Sequence, residues 1–209
     1  MKKILLADDH NVVRKGLKQI LTDEFGEVEF GEACNGAEAY KLAKEKKWDI
    51  LILDISMPGR NGLEILKQIK DEKICLPILV LSMHPEEQVA MRALKLGASG
   101  YLTKDIADTE LIIAVNKILS GRKYITLSLA EQMASKLENP GDKAPHELLS
   151  DREYQTLLLF AKGKTVSQIA DELSLSVPTV STFRARILEK MNMKTTAEAV
   201  SYAIRNNLV

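Results

Sequence analysis

Ile50-Leu51-Ile52-Leu53-Asp54-Ile55-Ser56-Met57-Pro58-Gly59 is the stretch on which the reading of this chain turns. Four consecutive large apolar residues with no polar alternation predict a strand buried on both faces, as in a parallel sheet covered by helices. The run stops at a carboxylate. Ile4-Leu5-Leu6-Ala7-Asp8-Asp9 repeats the pattern near the N-terminus. In open parallel sheets, ligands gather beyond the carboxyl ends of the strands. Three acids brought to one such edge repel one another unless a cation neutralises them. All-oxygen ligands with room for water favour Mg2+, which points to phosphoryl chemistry.

Working outward, strand-like segments at 3–7, 28–32, 49–53, 77–81 and 99–102 alternate with helical patterns at 11–23, 36–46, 62–71, 86–95 and 106–120, with Asn11 and Asn61 as helix-start signals. Five βα units imply a five-stranded parallel sheet with helices on both faces, a doubly wound α/β fold. Right-handed crossovers put all strand carboxyl ends on one edge. Asp8, Asp9, Asp54, Ser82 and Lys104 each end or follow a strand, so they are expected to converge there.

The stretch 122–147 reads as a linker. It holds a breaker cluster, Asn139-Pro140-Gly141-Asp142-Lys143-Ala144-Pro145, preceded by a possible short amphipathic helix through Leu127, Ala130, Met133, Ala134 and Leu137. From Ser150 the pattern is purely helical, with Ser150-Asp151-Arg152-Glu153 matching a capping box. Helices are expected at 151–162, 166–173, 177–192 and 195–206. Domains are accordingly assigned as 1–121, linker 122–147, and 148–209.

Overall net charge is zero, so no global basic signal points to nucleic acid. By segment, 1–121 carries 17 Lys+Arg against 19 Asp+Glu and 148–209 carries 8 against 6, which places the basic excess in the C-terminal part. It sharpens in 175–196, where Arg184, Arg186, Lys190 and Lys194 face only Glu189. Cys34 and Cys75 form neither a disulfide framework nor a metal spacing. No apolar run approaches a membrane span or a signal-peptide core, so a cytoplasmic protein without membrane association is expected.

Asp8-Asp9, Asp54-x-x-Met57-Pro58-Gly59, Ser82, Gly97-Ala98-Ser99-Gly100-Tyr101 and Lys104 follow the order and spacing of the receiver domain of bacterial two-component response regulators, which residues 1–120 resemble. The resemblance implies a flavodoxin-like fold with Asp54 as phosphoacceptor. It implies Mg2+ held by Asp8 or Asp9 with Asp54 and the backbone carbonyl of Ser56, and phosphoryl oxygens bound by Ser82 and Lys104. It also implies a switch in which the Ser82 hydroxyl moves toward the phosphoryl group and Tyr101 rotates inward, changing the face around residues 84–105. The physical chemistry agrees, because a carboxylate attacks a negatively charged phosphoryl group only after a divalent cation lowers the repulsion. Many receivers carry proline after the lysine, whereas this chain has Asp105. A cis peptide there would cost about 2.5–4 kcal/mol without proline.

Residues 148–209 resemble the four-helix, helix-turn-helix output domain of the NarL/FixJ (LuxR-type) family. The matching residues are Leu149-Ser150-x-Arg152-Glu153, Ala161-x-Gly163, Ile169-Ala170-x-x-Leu173-x-Leu175-Ser176, Thr179-Val180 and Ile187-x-x-Lys190-Met191. Thr179-Val180-Ser181-Thr182-Phe183-Arg184-Ala185-Arg186 resembles a BvgA-like subgroup. Winding this helix puts Val180, Ile187 and Met191 within about 20° of one another on the core side. Ser181, Thr182, Ala185, Arg186 and Glu189 then face outward, and the stem of Arg184 borders the core. An outward N-terminal half enters the DNA major groove in a helix-turn-helix. The expected DNA-binding set is Thr179, Ser181, Thr182, Arg184, Ala185, Arg186 and Lys190, with Arg186 and Lys190 on phosphate and Ser181, Thr182 and Ala185 at the bases.

The expected function is therefore a phosphorylation-activated, DNA-binding transcription regulator rather than an enzyme. Its implied partners are a sensor histidine kinase, double-stranded promoter DNA and, when phosphorylated, a second copy of itself. Two other readings stay open: a receiver-based interaction module that binds no DNA, and a Mg2+-dependent phosphatase. The latter lacks an acid two residues after Asp54, where Ser56 stands.

Overall fold

Every residue of β3 (Ile50–Asp54) and β4 (Ile78–Ser82) is buried, as strands inside a covered parallel sheet must be. With β1 (Lys2–Ala7), β2 (Val28–Ala33) and β5 (Gly100–Thr103) they form one sheet in the order β2-β1-β3-β4-β5, all pairs parallel. The structure is a computed structural model. It describes all residues except 59–60, 84–85, 139–143 and 207, and no side chains at 86–88, 132 and 135–138. Gly59 and most of the breaker cluster at 139–145 thus lie outside the described residues.

Helices α1 (Asn11–Phe25), α2 (Gly36–Glu45), α3 (Gly62–Asp71), α4 (Glu86–Lys95) and α5 (Ala107–Leu119) fill the crossovers. Leu17 and Leu21 of α1 and Leu111, Val115 and Ile118 of α5 pack on Ile4, Leu6, Ile52 and Leu81 of the sheet, forming one continuous core. Periodicity had located each element to within two residues. Helix starts were less legible: Asn61 does cap α3, accepting from Leu63 N at 2.9 Å, but Asn11 is the first residue of α1 and His10 occupies the cap position. No described peptide bond is cis, so the Lys104–Asp105 bond is trans.

Helix α6 (Leu127–Glu138) is the amphipathic segment anticipated before the breaker cluster. The segment leading to it is tied to the sheet, where Tyr124 N donates to Ser99 O at 2.9 Å and Tyr124 Oη donates to Glu110 Oε2 at 2.7 Å. The chain divides into two compact units, Met1–Glu138 and Asn139–Val209, so the division falls inside the stretch 122–147.

The second unit comprises a 3-10 turn (Pro145–Leu148) and four helices, α7 (Asp151–Ala161), α8 (Val166–Leu173), α9 (Val177–Lys190) and α10 (Thr196–Arg205). Its capping box forms as the sequence implied: Ser150 N donates to Glu153 Oε2 at 2.7 Å and Glu153 N to Ser150 Oγ at 3.4 Å. A second box, Thr165 with Gln168, caps α8. Between α8 and α9 the chain reverses at Ser174, which adopts φ 53° and donates its N–H to the end of α8. Ile169, Ala170 and Leu173 then meet Val180, with Leu159 and Phe160 of α7 beneath.

Gly62 shows how tightly the first unit is built around Asp54. A Cβ at this position would lie 2.3 Å from Asp54 O and 2.8 Å from Ile55 Cα, both backbone atoms that cannot swing away. Gly62→Ala is therefore expected to destabilise the first unit by about 1–3 kcal/mol, read as a lower midpoint in urea unfolding followed at its buried aromatic, Trp48.

Candidate functional site

Three chemistry-bearing side chains meet at the carboxyl edge of the sheet. Asp8 follows β1, Asp54 ends β3 and Lys104 opens the 3-10 turn after β5; Asp8 and Asp54 are 2% and 1% exposed. Lys104 Nζ lies 2.6 Å from Asp8 Oδ2 and 2.8 Å from Asp54 Oδ2, spanning the two strands between which it sits in charge but not in sequence. Ser56 N donates to Asp54 Oδ1 at 3.1 Å, and His10 N to Asp8 Oδ1 at 2.8 Å. Arg14 Nη1 donates to Asp8 O at 2.7 Å, and its Nε to Glu32 Oε2 at 3.1 Å, bracing the loop after β1 against the end of β2.

Burial raises the Asp54 pKa above its ordinary value, an effect that Lys104 opposes and neighbouring Asp8 reinforces. Burial also works against the Lys104 ammonium, yet Asp54 and Asp8 outweigh it and its pKa rises. Three carboxylates with one ammonium leave the cluster net negative. Lys104 thus partners Asp8 Oδ2, while Asp9 Oδ1 is buried without a formed hydrogen bond. One ligand atom from each of Asp8, Asp9, His10 and Asp54 lies within 4.8 Å of the others. A buried carboxylate oxygen without a hydrogen bond, among several carboxylates, fits a divalent cation. Such a cation would be held by Asp8, Asp9 and Asp54, and it would supply charge neutralisation for phosphoryl transfer.

Ser82 is fully buried at the end of β4, beside Thr103 in the register, and Tyr101 is fully buried on β5 beside Val80. A separate cavity of about 660 Å3, lined in part by Trp48, Asp49, Cys75 and Leu76, opens where β3 and β4 begin. It therefore lies at the opposite edge of the sheet from the carboxylates.

In the second unit, α9 buries Val180 and Ile187, and Met191 beyond its end is buried with them, as the winding implied. Thr182, Arg184, Ala185 and Arg186 are exposed, while Thr179 and Ser181 are half-buried. Arg184 is thus more open than its expected place at the core border. Thr182 Oγ1 donates to Pro178 O at 3.0 Å, and the Ser176 and Thr179 hydroxyls lie 2.7 Å apart. No ion pair engages Arg184 or Arg186 among the described residues. Lys190 differs, because its Nζ lies 2.6 Å from Glu153 Oε2, the same oxygen that closes the α7 capping box. The sequence reading also passed over His146, buried in the 3-10 turn with Nδ1 2.7 Å from Tyr202 Oη of α10. Its immediate sequence, between Pro145 and Glu147, carries no signal of that partner.

Residues 4–116 match the response regulator receiver domain, and residues 147–203 match the LuxR family of bacterial regulatory proteins. This chain is a response regulator. It is 37% identical to the response regulator UvrY of Escherichia coli K12, over all of this chain and 96% of that protein. It is 35% identical to the response regulator GacA of Pseudomonas aeruginosa, over all of this chain and 98% of that one. Among solved structures, an RcsB–DNA complex aligns with a TM-score of 0.59 at 26% identity, covering 96% of each chain. The five-stranded parallel sheet and the helical C-terminal unit are the architecture that this family combines.

Glu153 holds both a helix cap and Lys190. Burial pushes its pKa up, but Lys190 and the Ser150 bonds outweigh burial and hold it below the ordinary glutamate value of 4.5. A depressed carboxylate pKa contributes stability above pH 4.5 that is lost as pH falls further. Glu153→Ala should cost about 1–3 kcal/mol at pH 7. The gap from wild type should shrink below pH 4.5, as measured by paired urea melts across pH.

Proposed function

We propose that Asp54 is the phosphoacceptor of this response regulator and that its phosphorylation controls binding of the C-terminal unit to promoter DNA. The observation that carries the reading is the single ammonium of Lys104 shared between Asp8 and Asp54 at the edge where parallel strands end. An Asp54 carboxylate oxygen attacks the phosphorus of a phosphohistidine donor on a sensor kinase. The P–N bond breaks, the imidazole leaves with the electron pair, and Asp54 carries an acyl phosphate. Asp8 and Asp9, with the Ser56 carbonyl, hold Mg2+ beside it. Lys104 exchanges a carboxylate partner for a phosphoryl oxygen, which is the charge-assisted contact an ammonium provides. Ser82, buried one strand away, is placed to follow the phosphoryl group, and Tyr101 fills the space behind it.

The DNA surface in this reading is the exposed side of α9. Thr179, Ser181, Thr182 and Ala185 approach base edges, while Arg184 and Arg186 meet phosphate. Lys190 stands at the same helix end with its charge already opposed by Glu153, so it adds less than the two arginines. The BvgA-like pattern of aromatic and arginine residues in this helix belongs to the same reading. Solved relatives support paired modules, since two RcsB dimers have been captured on two parallel DNAs. A homodimer suits this chain because one helix-turn-helix module buries little DNA. No helix among the described residues is long and apolar enough to cross a membrane, in keeping with action on DNA in the cytoplasm.

Treatment with acetyl phosphate and Mg2+ tests the central step. Wild type should gain one phosphoryl group by intact mass and shift toward a dimer on sizing, while Asp54→Asn should do neither. An equal response of the two proteins would exclude Asp54 as the input. In salt-dependent titrations against a bound promoter fragment, Arg186→Ala should weaken affinity and reduce the salt slope by about 1. An unchanged slope would remove Arg186 from the interface.

A further inference from the structure

We propose that α9 reads DNA sequence chiefly through thymine methyl groups, with Val177 as a specificity-determining residue beside the methyls of Thr182 and Ala185. This rests on the exposed side of α9 being the DNA surface, and names the chemistry which that surface recognises. Taking Val180 as zero, winding places Val177 at about 60°, Ser181 at about 100°, Ala185 at about 140°, Pro178 at about 160° and Thr182 at about 200°. These positions form one continuous face on the N-terminal half of the helix. Val177 is 47% exposed, and Pro178, Thr182 and Ala185 are also open to solvent. The N-terminal residues of a recognition helix are the ones that meet base edges in the major groove.

The chemistry of that face is narrower than its residue types suggest. Bidentate pairing takes Arg or Lys for guanine and Asn or Gln for adenine, and positions 177, 178, 181, 182 and 185 hold none of them. Arg184 and Arg186 fall on the flanks, at about 40° and about 240°, where phosphate is the nearer partner. The hydroxyls are largely taken up by the helix itself. Thr182 Oγ1 donates to Pro178 O at 3.0 Å, which spends its one proton and leaves a methyl and an acceptor for a base. The Ser176 and Thr179 hydroxyls share a hydrogen bond of 2.7 Å, and Ser176 Oγ also accepts from Thr179 N at 3.2 Å. Among the described residues no hydrogen bond engages the Ser181 side chain, which is half-buried and is the hydroxyl left for a polar contact. What remains is apolar: the Val177 branch, the Pro178 ring and the methyls of Thr182 and Ala185. The apolar group that a base edge offers in the major groove is the thymine C5 methyl. Burying one such methyl is worth about fourfold in affinity.

The test uses the full chain, treated with acetyl phosphate and Mg2+, to select tight-binding duplexes from a random-sequence pool. Each thymine of one selected duplex is then replaced in turn by deoxyuridine, which pairs with adenine as thymine does and lacks only the methyl. Wild type should lose about fourfold in affinity at particular thymines of each half-site. Val177→Ala should weaken the all-thymine duplex by a similar factor and lose its sensitivity to uracil at one of those positions. Thr182→Ser, which keeps the hydroxyl and removes the methyl, should do so at another. Salt slopes should match wild type in both variants, because no phosphate contact is removed. Full wild-type affinity for every uracil-containing duplex would overturn methyl readout while leaving DNA binding intact. Identical uracil losses in wild type and Val177→Ala would overturn the role of Val177. Failure of wild type to retain any duplex would overturn the DNA surface itself, and methyl readout with it. The wild-type comparison of thymine with uracil decides methyl readout even where a variant fails to fold.

Discussion

Two buried carboxylates from different strands share one ammonium, and the rest of the first unit is organised so that they do. Asp8 and Asp54 are almost wholly removed from water, and burial raises the Asp54 carboxyl above its ordinary pKa against the opposing pull of Lys104. A buried ion pair contributes little net stability, because desolvation offsets most of the attraction. Its consequence is instead sensitivity: breaking one side of such an arrangement leaves an uncompensated charge. In the proposed mechanism a phosphoryl group at Asp54 would do that, and Lys104 would respond. The backbone around Asp54 has little freedom to absorb the change, since Gly62 abuts the Asp54 carbonyl with no room for even a methyl group. In that proposal the adjustment would fall to side chains at the ends of β4 and β5, where Ser82 and Tyr101 are packed without exposure.

The second unit depends on an analogous device built for rigidity. One carboxylate oxygen of Glu153 accepts from the Ser150 backbone and from Lys190, fastening the start of α7 to the end of α9. The Ser174 turn fixes the other end of α9 relative to α8. Both ends of α9 are thus tied to neighbouring helices, with Thr182, Ala185 and Arg186 on its exposed face. For the proposed base contacts, a helix held in place would lose less conformational entropy on binding.

Much of this was legible from residue order. The apolar runs ending in Asp8 and Asp54 located two core strands, and the remaining alternation located the others. The face of α9 followed from its winding, and the first capping box from Ser150 and Glu153. What escaped shares a feature: it depends on partners far apart in the chain. Glu153 and Lys190 are separated by 37 positions, and His146 and Tyr202 by 56, with no periodic pattern linking either pair.

By itself the sequence determined the order of strands and helices, the convergence of carboxylates at one sheet edge and the existence of an amphipathic output helix. These follow from periodicity and from the handedness of βα crossovers, which act locally. Only the tertiary structure decided which side-chain atoms face one another: Lys104 Nζ against Oδ2 of Asp8 and Asp54, His10 Nδ1 against Oδ1 of Asp8 and Asp9, and Lys190 drawn back to Glu153. Charge pairing is set by distances of a few ångströms between side chains brought together by packing. Sequence spacing carries no record of them.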